Sequence, residues 1–338
     1  MEKDLKKYEI RTDLAIDEVK ENSENIIVEN KEINNIKVTT VKILKEVESI
    51  NKGKGIYTTI HFDDVTDYNN NKMVEKVFIK ELKNILKLKK IKPNDYGLVI
   101  GLGNKLSTPD SIGPLVIQNI IVTNHIYELG LLEDGFRRVS VLEPGVKAQT
   151  GMETFNIIKS IVETEKPSFL IVLDSLASSS LDNVNKTIQI TDSGIAPGSG
   201  IGNKREEISE KKLNIPVIAI GVPTVVDAAT IVNDTINYMY KHFAYNKQNY
   251  NNPVNKLIIN PNYLNTNIKI TDEDKKNLLG IIGTLTNEET KQLIFEVLSP
   301  IGYNLMVTPK EIDFQIKKIS ELIANGINNA LNKNVTYL

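Results

Sequence analysis

The chain has 338 residues, no cysteine, and 41 lysines and arginines against 43 aspartates and glutamates. Its net charge of -2 gives no general attraction for nucleic acid or anionic lipid. Without cysteine there is no disulfide, catalytic thiol or thiolate zinc site, and no apolar run approaches the ~20 residues that would span a bilayer.

The opening residues, MEKDLKKYEIRTD, are charged throughout and lack a secretory apolar stretch, which predicts a cytoplasmic protein. RTDLAIDE (Arg11–Glu18) reads as an exposed, extended stretch that a protease would reach easily. From Asn25 to Phe62 three β-patterned runs follow, NIIVEN, IKVTTVKIL and GIYTTIHF, with a KGKG turn at Lys52–Gly55. They predict a small sheet or the extension of a larger one. Met73–Leu88 carries Val74, Val77, Phe78, Leu82, Ile85 and Leu86 at helical spacing.

Alternating units come next. Strands are predicted at Gly97–Leu102, Val139–Leu142, Phe169–Leu173 and Pro216–Ile220. Helices are predicted at Ile112–Leu129, Thr154–Glu163 and about Val226–His242. This rhythm predicts an α/β fold with a mostly parallel sheet covered by helices on both faces. Residues 244–276 are polar and read as a surface excursion. The tail is helical, with S/T-x-x-E capping patterns at Thr286/Glu289 and Thr308/Glu311, the second with Pro309 at the first helical position.

Two acids end two apolar runs: Asp110 in YGLVIGLGNKLSTPDSIGP and Asp174 in FLIVLDSLASSS. Strand ends in a doubly wound sheet face one crevice, and two carboxylates there can share a proton and activate water. Each also has a plain reading, Asp110 as a helix cap and Asp174 as a turn residue. GLGN (Gly101–Asn104) lacks the third glycine of a dinucleotide loop, since Leu106 stands there. Its turn is instead expected to aim Asn104 and Asp110 into the crevice, with the amides of Gly101, Gly103 and Asn104 available to an oxyanion.

TDSGIAPGSGIGNKR (Thr191–Arg205) reads as a long loop, either a lid or a connector, whose Lys204 and Arg205 could hold an acidic substrate side chain. Thr224 and Asp227 either line the crevice or open a helix. His61, His125 and His242 are scattered, without H-E-x-x-H spacing, and G-x-S-x-G is absent. A metallopeptidase built on the same two acids and a non-catalytic ligand-binding protein remain alternatives.

RTDLAIDE, GLGNKLSTPDSIGP, IVLDSLASSS, TIQITDSGIAPGSGIGNKREEIS, IPVIAIGVPTVVDA and NLMVTPKEID together resemble the germination proteases of endospore-forming bacteria. The resemblance implies a three-layer α/β/α core like that of hydrogenase maturation endopeptidases, with N-terminal β-rich and C-terminal helical additions. It implies a propeptide at 1–13 removed by self-cleavage between Asp13 and Leu14. The rest, 14–338, would be one protease domain, with a core at about 73–243 and a helical extension at about 272–335. Asp110 and Asp174 match the family's proposed catalytic aspartates. Small acid-soluble spore proteins, cut after an acid and before a bulky apolar residue and alanine, are the implied substrates. A homotetramer in the spore core is implied, without metal, other cofactor, membrane or direct nucleic-acid contact.

Overall fold

The computed structural model describes residues 12–19, 21–47, 50–196, 206–251, 270–298 and 305–333. The first element is a single helical turn, α1 (Ala15–Glu18). β1 (Ile26–Ile33) and β2 (Ile36–Ile43) form a hairpin. Its two turn residues, Asn34 and Asn35, both take positive φ, which asparagine tolerates and the strand twist favours. β3 (Gly55–His61) pairs antiparallel with β2. α2 (Tyr68–Leu88) starts where the Asp67 carboxylate accepts the Asn70 N–H at 2.7 Å.

β4 (Gly97–Gly101) is followed by a 3-10 turn at Thr108–Asp110 and by α3 (Ile112–Ile117) and α4 (Asn124–Glu128). Then come β5 (Val139–Leu142), α5 (Lys147–Thr150), α6 (Thr154–Glu165), β6 (Phe169–Ser178) and β7 (Thr187–Thr191). α7 (Glu210–Leu213), β8 (Val217–Asp227), α8 (Ala228–Gln248), α9 (Asp272–Leu279) and α10 (Asn287–Leu298) follow. β9 (Met306–Val307) and α11 (Ile312–Leu331) complete the order.

The chain divides into two compact units. The larger gathers the described residues of 12–178, 182–225 and 308–333; the smaller gathers those of 179–181 and 226–307.

In the larger unit the sheet runs β1-β2-β3-β7-β8-β6-β4-β5. β4 is parallel to both β5 and β6, whereas β1 to β3 and the β3–β7 and β7–β8 pairs are antiparallel. The sheet is therefore mixed rather than mostly parallel. The N-terminal runs extend it, because hairpin turns leave no room for the crossover a parallel pair needs. β7, TIQIT, has no counterpart among the predicted strands; the predicted loop at Thr191–Arg205 starts at its last residue.

Alternate strand residues build two cores. Val99, Ile171, Leu173, Ile190 and Ile220 pack with Phe78 of α2, Val116 of α3 and Ile316 and Ile323 of α11. Leu98, Ile100, Leu170 and Val172 pack with Phe155 and Ile158 of α6. Helices thus cover both faces of the parallel part, in three layers. Phe78 is fully buried and lies against the bare α-carbon of Gly326, where any Cβ would strike its ring. Burial of that ring contributes roughly 2–3 kcal/mol.

The helix expected over Ile112–Leu129 is interrupted after α3. Asn328 of α11 donates to Asn119 O at 2.9 Å and accepts the Ile121 N–H at 2.9 Å. Thr123 then bridges to β5, its hydroxyl donating to Arg137 O and accepting from Val139 N. These tertiary bonds outcompete helix continuation through a β-branched run. α11 has no capping box, since the Thr308 hydroxyl donates to Thr224 O at 2.9 Å and the helix begins only at Ile312.

In the smaller unit Asp227 caps α8, accepting the Ala229 N–H at 2.7 Å, as the helix-start reading expected. Burial raises its carboxyl above the usual range, and that bond opposes the rise. Val226 and Asp227 pair antiparallel with β9. Ala229, Ile294 and Phe295 pack α8 on α10. Thr286 and Glu289 make the reciprocal capping box at the start of α10, at 2.8 and 3.2 Å. The expected excursion at 244–276 begins as the end of α8 and finishes in α9; residues 252–269 lie outside the described residues. No helix among the described residues is long and apolar enough to cross a membrane.

Candidate active site

β4 ends at Gly101, whose α-carbon touches the Gly113 carbonyl at the start of α3; a side chain at either glycine would clash with backbone. The chain then turns at Gly103, with φ +110°, against the Asp110 carbonyl. Bonds close the loop behind it: Ser107 N to Asn104 O at 2.9 Å, Asp110 N to Ser107 O at 2.8 Å and Asn104 N to Asp110 O at 2.8 Å. The Thr224 hydroxyl of β8 pins it by donating to Pro109 O at 2.6 Å. Asp110 is half-buried, and its Oδ1 lies 3.1 Å from where a Cβ on Gly103 would stand. Ser111, not Asp110, occupies the N-cap position of α3.

Asp174 arrives from the neighbouring strand. β4 pairs with β6 only as far as Gly101 with Leu173, and Leu102 N donates the last rung to Leu173 O at 2.8 Å. Asp174 is the next residue. It is 5 % exposed, and its Oδ1 accepts the Ser175 N–H at 2.9 Å. The Ser175 hydroxyl is buried with no hydrogen-bond partner among the described residues. Both aspartates therefore border the turn at Leu102–Gly103. β6 itself continues to Ser178, so Asp174 stands inside the strand rather than past its end.

Other expectations shift. Asn104 does not aim into a crevice: its Oδ1 accepts Leu106 N at 3.0 Å and Gln149 Nε2 at 2.7 Å. Leu102 N and Asn104 N are committed to Leu173 O and Asp110 O, and Gly101 lies within the β-ladder. Of that turn, the Gly103 amide has no backbone partner among the described residues. Lys204 and Arg205 lie outside the described residues. His61 is half-buried beside the Thr39 hydroxyl at 3.3 Å, and burial, helped by Lys37, pulls its ring down to about 4. His125 sits on α4 and His242 on α8 beside Asn246. Among the described residues no three His, Cys, Asp or Glu side chains converge as metal ligands.

The largest departure concerns Asp13 and Leu14. The stretch is not exposed: Leu14 keeps an extended backbone, but it and Ala15 have no solvent exposure. Asp13 N donates to Ala177 O at 2.9 Å, and Asp13 Oδ2 accepts the Ala177 N–H at 2.9 Å. Gln189 of β7 donates to Asp13 O at 3.2 Å and accepts from Ala15 N at 2.9 Å. Asp17 fastens the following turn through Thr12, Ser178 and Asn183.

A pocket of about 280 Å³ opens beside this segment, lined by Asp13, Lys52, Tyr57, Leu176, Gln189 and Glu207 among others. Burial pushes the Tyr57 hydroxyl up to about 12 and raises the Glu207 carboxyl. Gln189 was missed in the sequence. Its signal lies in TIQIT, where Ile188 and Ile190 face one core and the polar alternates must find buried partners on the other face.

A family model described as germination protease matches residues 3–337. The chain is 43% identical to the germination protease of Geobacillus sp. (strain WCH70), over 98% of this chain and 96% of that protein. It is 43% identical to that of Priestia megaterium (strain ATCC 12872 / QMB1551), over 99% and 96%. For Bacillus cereus (strain ATCC 10987 / NRS 248) the figures are 43%, 98% and 96%.

Proposed function

The chain belongs to the germination protease family, and from that premise we propose that it is an endopeptidase of spore germination in which Asp110 and Asp174 activate water. What supports the reading is that both residues border the Leu102–Gly103 turn: Asp110 Oδ1 lies against Gly103, and Asp174 directly follows Leu173, whose carbonyl accepts the Leu102 N–H. Neighbouring carboxylates cannot both ionise cheaply, so the pair holds one proton. The ionised member takes a proton from water. The protonated member hydrogen-bonds the scissile carbonyl and then helps protonate the leaving amine. The Gly103 amide offers a donor for the developing oxyanion.

The substrates are small acid-soluble spore proteins, cut after an acid and before a bulky apolar residue and alanine. Asp13-Leu14-Ala15 repeats that pattern, so residues 1–13 form a propeptide that the enzyme removes from itself. The working form is a homotetramer in the spore core, with a hydrogenase-maturation-like core elaborated at both ends.

The test uses the purified chain, a spore-protein substrate and mass spectrometry. Cleavage after an acid is expected, with Asp110→Asn and Asp174→Asn each removing it. Substantial activity in either variant would sink the pair. Abolition by a chelator, with recovery on adding a divalent ion, would move the same residues to a metallopeptidase.

A further inference from the structure

Residues 12–15 are seated in the larger unit as a bound peptide would be. Asp13 is read twice at Ala177, through its backbone N–H and through its carboxylate. Gln189, 5 % exposed on β7, holds the backbone on both sides of Leu14 with the two ends of one amide, donating to Asp13 O and accepting from Ala15 N. Lys52 Nζ donates to Thr12 O at 2.9 Å. Leu14 is fully enclosed, and Ala15 beside it has no exposure that a larger side chain could fill.

The placement follows from the ladder. Backbone groups of every second strand residue point to the same edge. Leu173, which receives the last rung from Leu102, and Ala177 therefore face one edge of β6. Asp13 takes over the edge that β4 leaves. Ala177 lies three residues beyond Asp174, about 10 Å along the strand.

We propose that the Ala177 backbone, Gln189 and Lys52 form a binding site for an extended peptide of acidic–apolar–small sequence, which Asp13, Leu14 and Ala15 occupy in this chain. The Ala177 N–H selects the acid, the enclosure around Leu14 selects an apolar residue, and the closed space at Ala15 selects a small one. Gln189 is the residue that reads the backbone, because its side-chain amide supplies a donor and an acceptor on separate atoms. The tethered segment competes at an effective concentration near the millimolar range, so a peptide in trans enters only once the segment has left. The binding claim stands on the seated segment; its use in choosing substrates rests on the peptidase reading above.

The experiment measures binding without turnover, in the full-length chain carrying Asp174→Asn. The probe is a fluorescent, end-capped peptide with the sequence of residues 12–17. Adding Leu14→Asp, which puts a carboxylate where no water reaches, unseats the segment and is expected to tighten probe binding at least tenfold. Gln189→Leu on that background is expected to weaken it at least tenfold, and a probe with Asn in place of its first Asp to weaken it about as much.

Binding unaffected by unseating, or by Gln189→Leu, would overturn the site. Should Leu14→Asp fail to fold, amide exchange in the single variant Gln189→Leu decides. Ala15 is expected to exchange at least tenfold faster while β4 is unchanged, and an unchanged Ala15 would overturn the proposal. Because no cleavage is required, failure of the peptidase reading would leave these binding results standing, and failure of the site would leave cleavage by the unmodified chain intact.

Discussion

The two halves of β6 behave differently. As far as Leu173 the strand is apolar, fully buried and laddered to β4. Beyond it the same strand carries Asp174 and Ser175 and takes Asp13 on the edge β4 has left. A strand longer than its neighbour serves two purposes. Relative to β4, its paired half anchors the core, and its unpaired half offers backbone groups and polar side chains at a fixed distance from that anchor. The first half ties the strand into the core, and the second is where residues 12–15 lie.

Substitutions on either side of Leu173 can break this division. Asp174→Asn has the largest expected effect: peptidase rate falls by about 10³-fold or more, while circular dichroism remains that of the unmodified chain. Gly103→Ala comes next. Its Cβ meets the Asp110 carbonyl at positive φ, which displaces Asp110, lowers the rate about 100-fold and costs roughly 1–3 kcal/mol of stability in chemical denaturation.

Asn328→Ala tests the anchoring side alone. It leaves Ile121 N and Asn119 O without their partner and is expected to cost about 2–3 kcal/mol with little change in rate per folded molecule.

The smallest effect is a pH dependence at His61. Its ring titrates near 4 when folded against an ordinary 6.5, chiefly because of burial, then Lys37, with Asp17 opposing. The neutral ring is favoured by folding, so its contribution is complete above pH 6.5 and is lost as pH falls from there toward 4. With solvent screening of a half-buried ring, that loss is about 1–2 kcal/mol, and His61→Gln should flatten denaturation midpoints across the window.

The paired half was legible in the sequence. FLIVL and GLVIG are buried strands that need no partner information. The unpaired half was not. RTDLAIDE looks polar and mobile until Gln189, 176 residues away from Asp13, closes on it. Likewise, Ile112–Leu129 reads as one helix because nothing local announces that Asn328 will claim its backbone. Where long-range hydrogen bonds decide, local pattern underdetermines the result. Where burial decides, it is enough.

α11 is synthesised after every element it covers. Phe78 waits for Gly326, and the backbone at residues 119 and 121 waits for Asn328. During synthesis, the sheet face that α2 and α3 share stays uncovered until α11 has been made. The turn bearing Asp110 leads directly into α3. α3, and the Asp110 turn that leads into it, therefore gains its covering helix only after every strand of the sheet has been made.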